Sequence, residues 1–439
     1  MLEFNVVILG GGFAGTMLAQ RLVRKLPDGY RVGLLSKDNF ITYSPLLPEV
    51  VGASILPGHV VAPIRQMAKG THFYMVKVTD IDLDRREIHY LGDGPEVIHY
   101  EQLVLACGVA VNLTMVPGMA KHGLPLKTLG DALFLRNRVI VRLEQAELRT
   151  NPEARRGLTT FLVVGGGFSG VEVAGEITDF LKAAVRYYPR IDKQDCRVVL
   201  LHGCERILPE LSASLSAFAL RKMRKRGIEI RLNARVAKVE DQGVVLDSGE
   251  RIYGGTVIAT IGMAPNPLIA ELPIPKKRGR VETATDMSVP GHPGLWALGD
   301  CAAVTNAHDG QLSPPTAQFA IAHAKQLAHN LTRSIKGEST RPFSYRPKGQ
   351  LSSIGHNKAV AEVYGVRFSG FVAWLMWRGF YLLKIPTLAR KVRLYFEWNW
   401  EMLFPPDIVH LRFSRTRAAA ESTKATQSDD RQLTLHLHW

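Results

Sequence analysis

Apolar and polar positions along the chain predict the same series of elements twice. Each series opens with a short continuous apolar run, the pattern of a buried parallel strand. The run leads through glycines into a segment with helical spacing, and a second apolar strand follows. These segments are residues 5–9, 13–25 and 31–35 in the first half, and 160–164, 168–188 and 196–202 in the second.

Alternating apolar and polar positions follow each series and predict a small antiparallel meander, at 72–100 and at 228–253. Each meander is followed by a buried strand ending in glycine, at 103–108 and 256–262. An amphipathic helix at 131–150 precedes the crossing into the second half. This internal repetition predicts an α/β protein with two tandem Rossmann-like dinucleotide-binding domains and β-meander insertions.

Glycines recur at the spacing G-x-G-x-x-G in both halves. They are Gly10, Gly12 and Gly15 in the first loop, and Gly165, Gly167 and Gly170 in the second, 155 residues later. This spacing lets the backbone approach a pyrophosphate and places the anion at a helix N-terminus. One such loop is weak evidence, but the near copy predicts two dinucleotide sites.

The acidic residue that usually closes the second strand and binds a ribose hydroxyl is missing from both halves. The first strand ends at Ser36 and Lys37, and Ser36 can bind a hydroxyl more weakly. In the second half the position holds His202, with Arg206 four residues later. These two side chains either accommodate a 2′-phosphate or are solvated side chains of a loop that bind no ligand. The choice between NADH and NADPH therefore stays open.

Composition adds a strongly basic balance, with a net charge of +15. Such a surface attracts nucleic acid, an anionic membrane or charged cofactors. The first strand begins almost at the N-terminus, so no secretory leader is expected. The four cysteines have no short metal spacing, so we expect reduced thiols and no metal.

Much of the charge lies between residues 341 and 417, where thirteen basic residues face four acidic ones, a net charge of +9. Aromatic residues alternate with these charges. Arg378, Lys384 and Pro386 interrupt the best apolar run, so a spanning helix is not expected. Two short amphipathic helices would instead insert into a headgroup layer and attract anionic lipid. The alternative is that the aromatics form the core of a C-terminal cap.

Motifs in both halves resemble the type II NADH:quinone oxidoreductases. They are YSPLLPEVVG at 43–52, GGGFSGVEVAGE at 165–176, RILP at 206–209, GMAPNP at 262–267, GLWALGDCA at 294–302 and SPPTAQFAIAHAKQLAHN at 313–330. The resemblance covers residues 4–413. It implies non-covalent FAD in the first domain, with the ribityl chain at Asp300, and a nicotinamide cofactor, NADH, in the second.

The resemblance also implies individual contacts. For FAD they are Gly10, Gly12, Phe13, Ala14, Gly15, Ser36, Lys37, Val78, Ala106, Gly108, Asp300, Ala317 and Gln318. For NADH they are Gly165, Gly167, Phe168, Ser169, Gly170, Glu172, His202, Gly262 and Met263. Glu172 and Gln318 are the implied catalytic residues, and Glu176 is expected to be a surface carboxylate.

A quinone is implied beside Leu46, Leu47, Gln318, Ala322 and His323. Gln318 matches the first glutamine of the family's A-Q-x-A-x-Q pattern, whereas Ala322 replaces the second. We expect His323, next to it, to face the core or solvent more readily than to replace that glutamine. Leu46 and Leu47 lie in a proline-rich segment that either packs the core or lines the quinone approach.

The expected domains are an FAD domain from 1–155 and 285–340, an NAD(P)H domain from 156–284, a membrane-associating segment from 341–413 and a disordered tail from 414–439. The predicted function is hydride transfer from NADH to FAD and electron transfer to a membrane quinone, without proton pumping. The expected location is the cytoplasmic face of a bacterial inner membrane. No nucleic acid is expected as a partner, and the oligomeric state stays open, with a homodimer among the alternatives.

Two other functions remain open. A sulfide:quinone oxidoreductase resembles this architecture but needs a redox cysteine pair, a pattern that Cys107 and Cys301 do not fit. A redox-sensing flavoprotein could use the basic C-terminal segment to bind nucleic acid by stacking and phosphate contacts.

Overall fold

A computed structural model describes residues 2–92 and 95–411. The first part of the chain builds a parallel sheet that carries an antiparallel extension. Its strands are Leu2–Leu9 (β1), Val32–Ser36 (β2), Phe40–Thr42 (β3), Val61–Pro63 (β4), His72–Met75 (β5), Lys77–Asp82 (β6), Glu87–Leu91 (β7), Pro95–Leu105 (β8), Val109–Val111 (β9) and Gly123–Pro125 (β10). Its helices are Phe13–Leu22 (α1), Leu47–Val51 (α2), Ile64–Met67 (α3), Met119–His122 (α4) and Leu129–Glu147 (α5).

The second part repeats the arrangement with a smaller sheet. Its elements are Pro152–Leu158 (α6), Thr160–Val164 (β11), Phe168–Ala184 (α7), Arg197–Leu201 (β12), Ala213–Lys225 (α8), Glu229–Arg231 (β13), Val236–Glu240 (β14), Gly243–Leu246 (β15), Arg251–Tyr253 (β16), Thr256–Ala259 (β17), Met263–Pro265 (β18) and Pro267–Glu271 (α9).

The third part returns to the first sheet and ends in a helical hairpin. Its elements are Lys276–Lys277 (β19), Arg280–Glu282 (β20), Leu295–Ala297 (β21), Ala302–Ala303 (β22), Ala317–Ile335 (α10), Gly349–Ser353 (β23), Ala359–Val363 (β24), Val366–Gly370 (β25), Phe371–Lys384 (α11) and Leu388–Leu403 (α12).

Sheet pairing confirms the two doubly wound domains. The first sheet has the order β5-β2-β1-β8-β7-β6, and β21 adds to β8. The strands β5, β2, β1, β8 and β21 of this sheet are parallel. The second sheet, β10-β17-β11-β12-β13, is wholly parallel, and all five residues of its central strand β11 are buried. Since ligands of such sheets bind at the carboxyl ends of the strands, both glycine loops lie on binding edges.

The meanders are shorter than predicted. His72–Met75 pairs parallel with β2, and Glu229–Arg231 pairs parallel with β12, so neither segment belongs to an antiparallel meander. Alternation over three or four residues reports one buried face but not the direction of the neighbouring strand. The predicted helices 13–25 and 168–188 also end earlier, at Leu22 and Ala184, and 131–150 begins and ends slightly earlier, as Leu129–Glu147.

The C-terminal region contains a three-stranded antiparallel sheet, β23-β24-β25, that the sequence did not predict. The two expected short helices, α11 and α12, follow it. Among the residues that the structure covers, none of the helices is both long enough and apolar enough to cross a bilayer. The predicted tail at 414–439 lies outside the described residues.

Candidate dinucleotide and quinone sites

The first glycine loop is tightly packed against protein on one side and open on the other. Gly10 has φ +113°, and a Cβ there would lie 2.3 Å from the Ala106 carbonyl oxygen. A Cβ at Gly15 would lie 2.0 Å from the Gly10 oxygen, whereas a Cβ at Gly12 would meet no described atom within 4 Å. The loop therefore leaves space directly before the first turn of α1.

The second glycine loop has the same construction. Gly165 has φ +117°, and a Cβ at Gly170 would lie 1.8 Å from the Gly165 oxygen. A Cβ at Gly167 would face only the carboxylate oxygen of Glu210, 3.9 Å away. Two loops of one sequence pattern thus adopt one geometry in two different domains.

Both loops lead into helices whose first turns lack a side-chain cap. The N-cap residues of α1 and α7 are glycines, and neither first turn contains an acidic side chain. Threonine caps α5 and α10: the Thr128 hydroxyl accepts from the Asp131 amide, and the Thr316 hydroxyl accepts from the Phe319 amide. The helices α8 and α11 also lack a side-chain cap, but neither follows a glycine loop of this spacing. The free N–H groups and the positive helix end suit a phosphate, so both cradles fit a dinucleotide pyrophosphate.

Asp300 lies beside the first loop. It belongs to the short 3₁₀ turn Gly299–Cys301 that follows β21, and a Cβ at Gly299 would lie 2.9 Å from the Cβ of Ala14 in α1. Burial raises the pKa of Asp300, whereas the charges of Lys127 and Arg280 lower it. The structure thus brings together the first glycine loop and the carboxylate predicted to bind the ribityl chain.

Ser36 also lies against the first loop, since a Cβ at Gly11 would approach its hydroxyl oxygen to 2.6 Å. The carbonyl oxygen of Ser36 accepts from the Val76 amide at 2.9 Å, which brings the start of β6, with half-buried Val78, towards this end of the sheet. The other predicted FAD residues are half-buried Phe13, Gly108 and Ala317 and exposed Lys37.

His202 supports the second glycine loop directly. Its Nδ1 accepts a hydrogen bond from the Gly166 amide at 3.0 Å, and burial lowers its pKa. The neutral ring is therefore favoured. Arg206 donates from its guanidinium to the Pro209 carbonyl at 3.0 Å, within its own loop. Neither alternative from the sequence described this supporting role.

The remaining predicted NADH residues surround the same edge. Gly262 has φ +81°, and a Cβ there would lie 2.5 Å from the Asn112 carbonyl oxygen, so the turn after β17 requires glycine. Met263 is 61% exposed. Of the first two residues of α7, Phe168 is half-buried and Ser169 is exposed.

The cysteines do not favour thiol redox chemistry. Cys107 and Cys301 are both free, and each Sγ donates to a backbone carbonyl. Burial raises the pKa of both thiols, that of Cys301 to about 11. The reactive thiolate is therefore disfavoured at neutral pH.

Gln318, at the start of α10, fastens the beginning of the C-terminal region to that helix. Its Oε1 accepts from the Tyr345 hydroxyl and from the Lys348 amide, both at 2.9 Å, and its Nε2 donates to the Gly349 carbonyl at 3.4 Å. The predicted quinone-site glutamine thus holds the chain at the start of β23.

The four other residues predicted at the quinone site are buried or half-buried. Leu46 and Leu47 are 0% and 1% exposed and pack in the main core, which is one of the two alternatives that the sequence left open for them. His323 is 1% exposed: its Nδ1 accepts from the Gly299 amide at 3.2 Å, and its Nε2 shares a hydrogen bond with the Ser313 hydroxyl at 3.1 Å. This placement agrees with the expectation that His323 faces the core rather than replacing the missing glutamine. Ala322 is half-buried against the core.

Glu172 is buried at the other end of β23. Its Oε1 accepts from the Ser353 amide at 3.2 Å. Burial is the main reason that its pKa is raised to about 8. Since β23 runs from Gly349 to Ser353, the two predicted catalytic residues hold opposite ends of one strand, about 13 Å apart along the chain.

The prediction that Glu176 is a surface carboxylate is wrong. Glu176 is only 7% exposed, and its Oε2 accepts a hydrogen bond from the Ser54 hydroxyl at 2.9 Å. Space for it comes from Gly52, where a Cβ would lie 2.5 Å from that oxygen. Gly52 lies 124 residues before Glu176 in the chain, so the sequence gives no indication of this contact.

The sequence analysis also missed two carboxylates that lie close to these. Glu49 in α2 is 6% exposed and accepts from the Trp398 indole N–H at 3.0 Å. Glu401 in α12 binds the Arg378 guanidinium at 2.7 Å. Leu394, Trp398 and Glu401 follow the spacing of one helix face, and that signal would have placed Glu401 towards the interior.

The hairpin of α11 and α12 exposes an apolar surface, which we call the hairpin face. Its residues are Phe371, Val372, Leu375, Leu383, Leu388, Val392, Tyr395, Phe396, Trp400, Met402, Leu403 and Phe404, each at least 44% exposed. The opposite side of α12 is fixed to the first domain, where Arg390 donates to the Gly58 carbonyl at 2.7 Å and Glu397 pairs with His59.

Comparisons with known proteins agree along most of the chain. Residues 4–324 match the family model of the pyridine nucleotide-disulphide oxidoreductases, and residues 348–406 match the NDH2 C-terminal domain. The type II NADH:quinone oxidoreductase Ndh of Mycobacterium tuberculosis is 31% identical over 416 residues, which cover 90% of this chain and 87% of that protein.

A type II NADH:quinone oxidoreductase of Staphylococcus epidermidis is 27% identical over 83% of this chain and 91% of its own length. The structure of NDH2 from Plasmodium falciparum in complex with NADH has a TM-score of 0.86 at 19% identity, covering 92% of this chain and 99% of that one. The structural likeness establishes the fold.

Proposed function

This chain belongs to the type II NADH:quinone oxidoreductases, and from that premise we propose how its own residues carry out the reaction. Members of this family pass electrons from NADH through a flavin to a quinone, and this is the activity of the chain. We assign FAD, bound non-covalently, to the cradle before α1 and NADH to the cradle before α7.

The observation that carries this assignment is the pair of uncapped helix N-termini, each behind a glycine loop with open space at its middle glycine. Bound flavin supplies the hydride-accepting and electron-donating chemistry. The N–H groups of α1 would hold its diphosphate, and Asp300 would accept from its ribityl hydroxyls. The N–H groups of α7 hold the NADH diphosphate, and His202 keeps that loop in position.

Glu172 and Gln318 mark the region where the quinone accepts electrons. Gln318 keeps the start of β23 beside the flavin, and Glu172 keeps its end beside the nicotinamide cradle. The buried surroundings of Glu172 exclude water from this region, which protects the transferred hydride from side reactions.

The hairpin face carries the membrane proposal. Its large side chains are exposed, and exposed Lys384 and Arg393 lie on the same two helices. Apolar side chains in the headgroup region and basic ones at anionic lipid are the two components of interfacial binding. We propose that the protein lies on the cytoplasmic face of a bacterial inner membrane, where the quinone enters from the lipid.

The identity of the flavin is tested on the purified full chain. Heat-released cofactor is identified by mass spectrometry, and NADH oxidation is measured with a quinone in anionic vesicles. We expect FAD in about equal amount to protein and quinone-dependent NADH oxidation. Recovery of FMN, or of flavin that stays covalently attached after denaturation, would contradict the assignment of the first site.

A further inference from the structure

Five basic side chains surround one cavity beside the second domain. The cavity has a volume of about 320 Å³ and is lined by Lys182 of α7, Lys222 and Lys225 of α8, Arg226 at the end of α8, and Lys358 of the β23–β24 loop. We call it the basic cavity. Four of its residues precede the basic segment at 341–417, and no sequence motif marks them.

Arg226 connects three parts of the chain at this cavity. It is the C-cap residue of α8, its guanidinium pairs with Asp179 of α7, and an Nη atom donates to the Ile354 carbonyl at 2.9 Å. The Lys182 ammonium donates to the Arg226 carbonyl. The cavity therefore has a fixed frame made of two helices of the second domain and the β23–β24 loop.

The other three cations of the cavity pair with no carboxylate in the described part of the chain. Of the lysines in residues 2–92 and 95–411, Lys238 is the one that forms an ion pair, and it lies on β14. Lys222 lies over the Phe218 ring, with its Nζ 5.4 Å from the ring centroid. The ammonium groups of Lys222, Lys225 and Lys358 are thus available to an anionic ligand.

The surroundings do not balance the positive charge of the cavity. Asp179 contributes one negative charge, and the C-terminal ends of α7 and α8 contribute about half a charge each. Against five cations, this leaves a net charge of about +3. Burial lowers the pKa of Lys182, and the charges of Arg226 and Lys358 lower it further, whereas Asp179 raises it. An anion in the cavity would relieve the repulsion between these cations.

The basic cavity lies next to the hairpin face. Ala359 pairs with Gly370 in the antiparallel sheet, so Lys358 and Phe371 are each one residue away from this pair. Their Cα atoms are therefore at most about 13 Å apart. Phe371 is the first residue of the hairpin face and is 53% exposed.

The β23–β24 loop also contacts the end of the hairpin where exposed apolar residues are concentrated. The His356 ring lies 6.5 Å from the Trp374 ring of α11, and its Nδ1 lies 3.7 Å from a Glu401 oxygen of α12. Seven of the twelve residues of the hairpin face lie in 371–375, at the start of α11, or in 400–404, at the end of α12. A lipid surface that receives these side chains therefore reaches the basic cavity as well.

We propose that the basic cavity binds the phosphate headgroup of an anionic phospholipid, held by the ammonium groups of Lys222, Lys225 and Lys358. The acyl chains of this lipid lie along the hairpin face at the start of α11. The cavity volume suits a headgroup rather than a whole lipid, since it is at the lower end of the roughly 300–1,000 Å³ of ligand sites.

A lipid phosphate fits the cavity better than a soluble one because it alone also brings apolar chains to the hairpin face. The headgroup gives the enzyme a second anchoring point, on the second domain. Two anchoring points fix the orientation of the molecule on the bilayer, which a single hairpin does not. The headgroup site rests on the membrane association proposed above.

Vesicle binding by the full-length flavin-loaded enzyme tests the site. The vesicles consist of phosphatidylcholine alone or of phosphatidylcholine with added phosphatidylglycerol, and flotation measures the bound fraction. In the triple variant Lys222→Gln, Lys225→Gln and Lys358→Gln, affinity for the anionic vesicles should fall by about 10²-fold, because each basic residue at an anionic surface contributes about fivefold. Affinity for the neutral vesicles, which depends on the hairpin face, should stay the same.

A matched control removes the same charge elsewhere. Lys25, Lys277 and Lys325 are exposed and lie outside the cavity. Replacing these three by Gln measures the general effect of net charge and should lower affinity for anionic vesicles far less. An equal loss in the two triple variants would refute a defined site. Flavin reduction by NADH should be as in wild type for both, which shows that each protein is folded.

Lysine acylation followed by mass spectrometry distinguishes the sources of the phosphate. Anionic vesicles should protect Lys222, Lys225 and Lys358 from an amine-reactive reagent, whereas Lys325 should stay reactive. Protection by inorganic phosphate but not by the vesicles would show that the ligand is a soluble anion and would overturn the lipid assignment. Loss of duplex DNA binding in the cavity variant, with unchanged vesicle binding, would overturn it in favour of nucleic acid.

Flotation decides the headgroup site separately from the proposed reaction, because binding to vesicles requires no turnover. If wild type and the cavity variant bind anionic vesicles equally, the headgroup site is refuted and the membrane proposal stands. Wild type that binds neither kind of vesicle would overturn the membrane proposal and the headgroup site together. Wild type that binds vesicles but does not reduce quinone with NADH would contradict the proposed reaction alone.

Discussion

His202 illustrates how much one side chain contributes to the nicotinamide site. It stands where a carboxylate would bind the adenosine ribose, yet its Nδ1 accepts from the backbone of the second glycine loop at 3.0 Å. A neutral ring in this position neither repels nor strongly attracts a 2′-phosphate. Selection between the two nicotinamide cofactors is therefore expected to be modest in the wild type.

His202→Glu should strengthen the preference for NADH. The new carboxylate can still accept from the Gly166 amide, and it repels a 2′-phosphate while accepting from a ribose hydroxyl. We expect the ratio of kcat/KM for NADH over NADPH to rise by about tenfold, a change of about 1.4 kcal/mol. Steady-state kinetics with both cofactors measures it.

Arg251→Gln is the matched control, since Arg251 is exposed on β16 and pairs with Glu240 rather than with the glycine loop. A large wild-type preference for NADPH would contradict the assignment of NADH to this site. An unchanged ratio in His202→Glu would show that the ribose lies elsewhere.

At the scale of elements, the helical hairpin combines two unlike faces. Arg390 and Glu397 fix α12 to the first domain, whereas the hairpin face leaves large apolar side chains exposed. Burying each such side chain contributes about 1.5–3 kcal/mol when it leaves water fully. Several of them acting together are enough for stable interfacial binding.

Replacing two residues of the hairpin face, Phe396→Asp and Leu403→Asp together, should lower binding to anionic vesicles by at least about tenfold, measured by flotation. NADH-dependent flavin reduction should stay unchanged, because neither residue lies near a cradle. Leu148→Asp is the control, since Leu148 is 78% exposed but lies beyond the end of α5. Flotation that is equal for all three proteins would contradict the membrane proposal.

Elements that depend on local sequence were predictable, whereas contacts between distant segments were not. The apolar strand at 160–164 and the glycine loop after it have local signatures, and both formed as expected. The parallel pairing of Glu229–Arg231 depends on β12, and the burial of Glu176 depends on Gly52. A single sequence carries no signal for such partners.

The site residues also separate into those with a local sequence signal and those that depend on contacts between distant segments. The first glycine loop and Asp300 come together because β1 and β21 both pair with β8 in one parallel sheet. His323 was expected to face the core or solvent rather than to replace the missing glutamine, and its side chain turns into the core towards Gly299. Glu49 and Glu401 were missed because each becomes significant only when α2 and α12 pack on α7.

At the scale of the whole molecule, two copies of one cradle serve two different cofactors. Gly12 and Gly167 offer a matched pair of substitutions. Both have extended backbone angles that any residue adopts, and a Cβ at either would meet no described atom closer than 3.9 Å. A glutamate at either position places a negative charge where a phosphate would bind.

Gly12→Glu should therefore be purified without flavin, and Gly167→Glu should keep its flavin but lose reduction by NADH, with KM rising by about 10²-fold or more. Absorbance spectra and NADH titration measure both effects. Thermal unfolding of the two proteins shows whether each still folds. Loss of flavin from both variants, or from neither, would contradict the assignment of FAD to the first domain and NADH to the second.

The most direct test of the whole account is a two-step mixing experiment in which the full chain meets NADH first and anionic vesicles that contain a quinone second. Without oxygen, one equivalent of NADH should bleach the flavin, and quinone in the bilayer should restore its absorbance with one quinol formed per NADH. Flavin that NADH bleaches but quinone does not reoxidise would contradict the central claim.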